Sequence, residues 1–167
     1  TKFWFNLESK SAVAVASEIL GSQAASHMDA AVIERVDLCS SFGKGPDDVD
    51  DADICDTVSR IVSLAKHNGI KTVLGGGVSM RSTSFIEGLI SDGKLDYYET
   101  RKVGFTASGF SRERYATGLL LGLGFEICFL KNKIQNTRSS SERDLRRLTY
   151  LDMTYWHEVK HYIPTDV

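Results

Sequence analysis

The sequence predicts an α/β protein: four parallel strands under covering helices, followed by a C-terminal helical region. Three observations predict it. Short apolar runs alternate with helix-length segments in the order β-α-β-α-β-α-β-α. The runs are apolar enough to be buried on both sides, as strands of parallel sheets are. From Ser111 onward the periodicity is helical only. This divides the 167 residues into a strand-bearing region, 1–110, and a helical region, 111–167, suited to packing or oligomerisation. Four strands fit either a small open sheet or half of an eight-stranded barrel. Half a barrel leaves two edges of unpaired N–H and C=O groups, which a stable protein must cover.

In chain order, Lys2–Glu8 reads as the first strand. Ser9-Lys10-Ser11 is a capping-type start, and the alanine-rich run from Ala12 to Leu20 is helical until Gly21. Gln23–Asp29 is a polar connection. Ala30–Val36 is the second strand, and a loop with Gly43, Gly45 and Pro46 follows Asp37. Five aspartates then fall between Asp47 and Asp53. The glycine and the final glutamate of an EF-hand are missing, so this run reads as a solvated loop whose last Asp caps a helix. Ile54–His67 is an amphipathic helix with Ile54, Val58, Ile61, Val62, Leu64 and Ala65 near one face. Ile70–Leu74 is the third strand, closed by Gly75-Gly76-Gly77. A helix starts at Ser79 or Ser82 and runs to Ile90. Lys94–Glu99 is the fourth strand, continuing toward Val103. In the helical region Tyr115, Leu119 and Leu123 form one stripe, with Gly118, Gly122 and Gly124 permitting close packing or a break. After a polar stretch, Asn136–Ser140, Ser141-x-x-Asp144 resembles a capping start. Leu145, Leu148, Leu151, Tyr155 and Val159 recur at helical spacing, and the tail ends at Pro164.

Composition narrows the functional classes. Apolar residues make up 42% and charged residues 25%, with a net charge of −2, which suits a globular protein and gives no bulk electrostatic case for nucleic acid. No apolar run approaches a bilayer span, and no signal peptide is visible, so neither membrane nor export is expected. Cys39, Cys55 and Cys128 are odd in number and share no C-x-x-C spacing; a reducing cytoplasmic setting is the expectation. Cys39 lies near the candidate site but has no histidine close in sequence, and reads as a buried thiol. His27, His67, His157 and His161 fall in loops or helices. His157 and His161 are four apart on one helix, but surface positions explain them better than a ligand pair.

The candidate chemistry lies at the strand ends. Phe3-Trp4-Phe5-Asn6-Leu7-Glu8 and Ala31-Val32-Ile33-Glu34-Arg35-Val36-Asp37 each end on a carboxylate. Two adjacent parallel strands ending this way bring anionic oxygens to one point, as a hard divalent cation requires. Glu8 and Asp37 are therefore the candidate metal pair; the alternative is two ordinary carboxylates that cap helices or face water. Strand alternation puts Asn6 with Glu8, Ile33 with Arg35 and Asp37, and Glu99 with Arg101. Arg35, Glu99 and Arg101 are the candidate catalytic residues, the two arginines suiting a carboxylate or phosphate. The alternative is that Arg35 forms an internal ion pair with Glu99 or Glu8. Asn6, Gly75, Gly76 and Gly77 are candidate substrate-binding residues. The bare amides of the three glycines could hold an anion, although a tight turn also explains them.

Several blocks carry a resemblance: N-L-E-S-K-S-A-V (6–13), I-E-R-V-D-L-C-S-S-F-G (33–43), G-G-G-V-S (75–79), Y-E-T-R-K-V (98–103) and F-E-I-C-F-L-K-N-K (125–133). Over residues 2–135 the chain resembles the C-terminal half of the HpcH/HpaI aldolase–citrate lyase family, in a branch whose last strand ends in E-T-R-K-V. The resemblance implies strands five to eight of a TIM (β/α)8 barrel. It implies a divalent metal, Mg²⁺ or Mn²⁺, on Glu8 and Asp37, and a carbon–carbon lyase or aldolase acting through a metal-stabilised enolate. The implied substrate is a 2-oxo acid or an acyl-CoA thioester. The family's first four strands carry an Arg and a His used in catalysis, and nothing here matches them. Val36 also stands where better-known members have a small residue or proline. A complementary barrel half on another chain, or self-association, is implied as partner. Two other readings remain open: a non-catalytic barrel half serving as an assembly or regulatory subunit, and a small α/β protein binding a phosphorylated ligand at Gly75–Ser79.

Overall fold

Strand order follows chain order. The computed structural model describes residues 2–136 and 142–162, and β1 (Trp4–Leu7), β2 (Ala30–Glu34), β3 (Lys71–Gly75), β4 (Tyr97–Glu99) and β5 (Gly104–Thr106) lie side by side in the order 1-2-3-4-5. The first four strands are mutually parallel, and β5 runs antiparallel to β4. The helices before it are α1 (Lys10–Ala14), α2 (Ala16–Leu20), α3 (Arg35–Ser41), α4 (Ala52–His67) and α5 (Thr83–Ser91). The chain divides into two compact units, 1–110 and 111–167.

An unreversed order means that every crossover steps the same way across the sheet. Right-handed crossovers then put all the helices on one face. Phe5, Leu7, Ala31, Ile33, Thr72 and Leu74 point to that face by alternation. All but Phe5 are completely buried. Helix α4 lies against β2 and β3 and buries Ile54, Val58, Ile61, Val62 and Ala65. Each of the isoleucines and valines contributes about 1.5–3 kcal/mol when fully buried. The apolar stripe read from the sequence is this face, except that Leu64 is only half-buried.

The opposite face carries Trp4 and Asn6 from β1, Ala30 and Val32 from β2, Lys71 and Val73 from β3, and Tyr97 from β4, in the paired registers Trp4–Ala30–Lys71 and Asn6–Val32–Val73–Tyr97. Ala30, Val32 and Val73 form a small apolar cluster against Tyr97. Two intervening strands would hold the outer strands about 14 Å apart in a flat sheet. Yet the Trp4 and Tyr97 ring centroids are 5.9 Å apart. The two rings lean toward each other over small residues, as on a concave surface. Lys71 Nζ lies 5.8 Å from the centre of the Tyr97 ring.

Several boundaries differ from the sequence reading. The first strand begins at Trp4, not Lys2, and the fourth at Tyr97, not Lys94. The second stops at Glu34, because Arg35 starts a helix and turns its side chain inward. The fourth does not run on to Val103: Thr100 N donates to Val103 O at 2.9 Å, closing a turn. That turn sends the chain back as β5, a strand not foreseen, which is fastened by Phe105 stacked on Tyr98 at 5.1 Å. The single helix expected over Ala12–Leu20 is two helices that meet at Val15. Half a TIM barrel would leave the β4 edge open; here β5 occupies it.

In the second unit, α6 (Arg112–Asn136) and α7 (Glu142–Tyr162) pack against each other. Gly118, Gly122 and Gly124 do not break α6. Tyr115, Leu119, Leu123 and Leu151 are buried as the stripes predicted, whereas Leu145 is exposed. Buried Glu126 accepts from Arg147 Nε at 3.1 Å and Nη2 at 3.3 Å. Ser141, residues 137–140 and Pro164 lie outside the described residues, as does the side chain of His161. Among the described residues no helix is long and apolar enough to cross a membrane.

Candidate functional site

The concave face becomes acidic at the end toward which the four parallel strands run. One step beyond the Asn6–Val32–Val73–Tyr97 row come Glu8, Glu34, Gly75 and Glu99, with Glu34 paired in register to Gly75. Asn6 Nδ2 donates to Glu8 Oε2 at 3.0 Å, so the two residues expected to share a face do so.

Gly75 is what lets two of these carboxylates converge. A Cβ added at Gly75 would lie 2.6 Å from Glu34 Oε2 and 3.3 Å from Glu99 Oε1. The carboxylates therefore occupy the space that any other residue would fill. Gly76, at φ 71°, lies against the start of α3: a Cβ there would stand 2.5 Å from Arg35 N and 2.6 Å from both Glu34 Oε1 and Val36 N. No L side chain fits that position without displacing backbone. The three glycines thus make a tight turn whose bareness serves the neighbouring carboxylates.

Crowding alters the chemistry of Glu34. Its pKa is pushed up to about 7, first by loss of water, then by the charges of Asp37 and Glu99; Arg35 pulls it back and Glu8 adds a smaller push. Loss of water also raises Glu99 above the usual carboxylate range. Asp37 is exposed in the first turn of α3. It does not share a strand face with Ile33 and Arg35 as expected, because the strand has ended, but its charge still reaches Glu34.

Arg35 does not offer its guanidinium to the concave face. It has no exposed surface, and Nη1 donates to Asp50 Oδ1 at 2.6 Å. The internal ion pair is real, but its partner comes from the Asp-rich run rather than being Glu8 or Glu99. That run is a set of anchors more than a solvated loop. Asp48 Oδ2 accepts from Gly45 N at 2.7 Å, and Asp51 and Asp53 accept from Lys44 Nζ at 2.9 and 2.8 Å. Asp53, the expected cap, sits inside the first turn of α4, with Asp51 at the cap position. Arg101 lies exposed in the turn beyond β4 and does not share a strand face with Glu99.

Among the described residues, no three or more His, Cys, Asp or Glu side chains are grouped so as to hold a metal ion by themselves. The donor set is nonetheless all oxygen and anionic, the kind a hard cation prefers. Gly75 adds no side chain of its own to the space that the Glu34 and Glu99 carboxylates fill. Mg²⁺ is commonly held by one or two carboxylates, with water and substrate completing its shell. Glu8 and Asp37 would supply such a pair. Cys39 is buried and, like Cys55 and Cys128, free. His157 is exposed on α7.

Glu34 is the principal residue that the sequence reading passed over. The strand reading of Ala30–Val36 encloses it, whereas the apolar stretch Ala30–Ile33 ends directly before it, as Leu7 ends before Glu8. That parallel was the available signal. No known protein family, curated protein or solved structure matches the chain.

Proposed function

We propose that the chain is the C-terminal half of a TIM-barrel carbon–carbon lyase or aldolase, acting on a 2-oxo acid or acyl-CoA substrate with Mg²⁺ or Mn²⁺. The observation that carries the reading is the convergence of Glu34 and Glu99 over Gly75, beside Glu8, on the C-terminal rim of a curved, unreversed parallel sheet. Enzymes of barrel architecture place their chemistry on that rim. Glu8 and Asp37 would hold the cation. When bound, the metal supplies Lewis acidity toward a substrate carbonyl. Glu34 holds a proton at Oε1 or Oε2 near neutrality and can give or take it within the site, the property asked of a general acid or base. Asn6 fixes one oxygen of Glu8 through its side-chain amide. Gly75 and Gly76 leave the Glu34 and Glu99 carboxylates undisplaced at the rim.

The partner in this reading is a complementary barrel half on another chain. It would join beside β1, which has no strand on its outer side among the described residues, and would cover Phe3 and Trp4, both exposed. Closing the ring at the other edge, with a separate half or with a second copy of this chain, would require β5 to give up its pairing with β4. Three free thiols suit the reducing cytoplasm in which we place the protein.

Thermal melting with 5 mM Mg²⁺ or Mn²⁺, a concentration on the order of that used to saturate weak sites, tests the reading. The protein should melt several degrees higher with the cation, and Glu8→Gln or Asp37→Asn should abolish the difference. Melting temperatures that ignore both cations, alone and with the partner half present, would remove the metal and the lyase with it.

A further inference from the structure

Arg35 ties the loop before α4 to the two ends of the connection between β3 and α5. Its Nε donates to Gly75 O at 3.3 Å, Nη1 to Asp50 Oδ1 at 2.6 Å and Val49 O at 3.3 Å, and Nη2 to Ser82 Oγ at 3.1 Å. Ser82, itself fully buried, donates to Asp50 Oδ2 at 3.1 Å and accepts from Ser79 N at 3.4 Å. The partners come from the loop before α4, from the end of β3, and from the turn that leads into α5. Arg35 itself stands where β2 becomes α3.

A buried ion pair is weak evidence of a contribution to stability, since apolar residues of similar size often serve as well. What a guanidinium adds is fixed geometry: a planar fork whose donors diverge at set angles. Here all three nitrogens of the fork are used. One branch ends on the carbonyl of Gly75, the residue over which Glu34 and Glu99 converge. The backbone of Arg35 follows directly on Glu34, and Gly76 packs against Arg35 N. The same residue therefore holds both walls of the acidic rim.

We propose that Arg35, seated by Asp50 and Ser82, is a positioning residue: it sets the Gly75–Gly76 turn against the start of α3 and so fixes where the Glu34 carboxylate stands. The proposal rests on the acidic rim being the working site. Its test needs neither metal nor substrate, so it can fail while the lyase reading stands, and the reverse.

Ser82→Ala and Arg35→Lys both leave the formal charge unchanged, so neither alters the Glu34 titration by removing a charge. The Glu34 carboxyl is followed by carbon-13 NMR against pH and assigned by its loss in Glu34→Gln; amide exchange is followed over residues 75–79. In both variants the Glu34 midpoint should fall from about 7 toward the ordinary 4.5 as the turn loosens and water enters. Exchange at 75–79 should quicken by about tenfold or more while Thr72–Leu74 keep their protection. Should Arg35→Lys not fold, Ser82→Ala decides alone. A midpoint that stays near 7 in Ser82→Ala, or unchanged exchange at 75–79, assigns Arg35 a purely structural role and overturns the proposal.

Discussion

Glu34 and Arg35 are neighbours in sequence and opposites in environment. Arg35 is wholly buried yet fully matched: carbonyls, a hydroxyl and Asp50 surround its charge. Glu34 is less buried but poorly matched, with Asp37, Glu99 and Glu8 all opposing its ionisation. The difference shows that burial alone does not decide the state of a charged group; the company it is buried with does. A matched charge is architecture, whereas a mismatched one at a strand end has free energy to release on meeting a proton, a cation or a ligand.

The largest way to break this contrast is to remove the matched member. Arg35→Ala leaves Asp50, only 12% exposed, without its cation, and should lower stability by about 3–5 kcal/mol, read from urea unfolding. A smaller loss would mean that Asp50 finds water. Next comes the turn between the two regions. Gly76→Ala forces a side chain onto a left-handed backbone against the start of α3, and should cost about 1–3 kcal/mol. Gly75→Ala meets only the flexible ends of Glu34 and Glu99 and should cost less, while displacing both carboxylates. Equal losses in the two variants would show that Gly75 is held by backbone packing instead.

The smallest effect sharpens the mismatched side. Glu34 keeps its proton to a higher pH in the folded protein than in the unfolded chain, so its contribution to stability is complete below 4.5 and is lost as pH rises to about 7. Glu34→Gln removes that dependence. Solvent screening of the partly exposed carboxyl takes back about half of the full effect, so the variant should melt about 3–6 °C above the parent at pH 8, and the gap should close as pH falls below 4.5. A gap that does not change with pH would mean that Glu34 is not the titrating group.

Much of the strand-bearing region was legible because its signals are local. Apolar runs fixed where β1, β2 and β3 lie, and the stripe from Ile54 to Ala65 fixed the buried face of α4. Glu8 and Asn6 followed from alternation alone. What could not be read depended on partners far along the chain. Nothing near Arg35 shows that Asp50 and Ser82 draw it inward, and without that, Arg35 reads as one more strand residue. The end of β2 was misplaced for this reason, and Glu34 was overlooked with it. β5 escaped because three residues are too few for a period; only its stacking on Tyr98 makes it a strand.

The arch of Trp4 over Ala30 and Val32 to Tyr97 also gives the molecule an optical reporter. Trp4 is 43% exposed on the concave face, close enough to Tyr97 to exchange excitation, and its indole emission should shift to the blue once that face is covered. The second tryptophan, Trp156, lies in the other unit and can be silenced by Trp156→Phe. Fluorescence from one indole would then register, in real time and without a label, whether anything has come to rest inside the curve of the sheet.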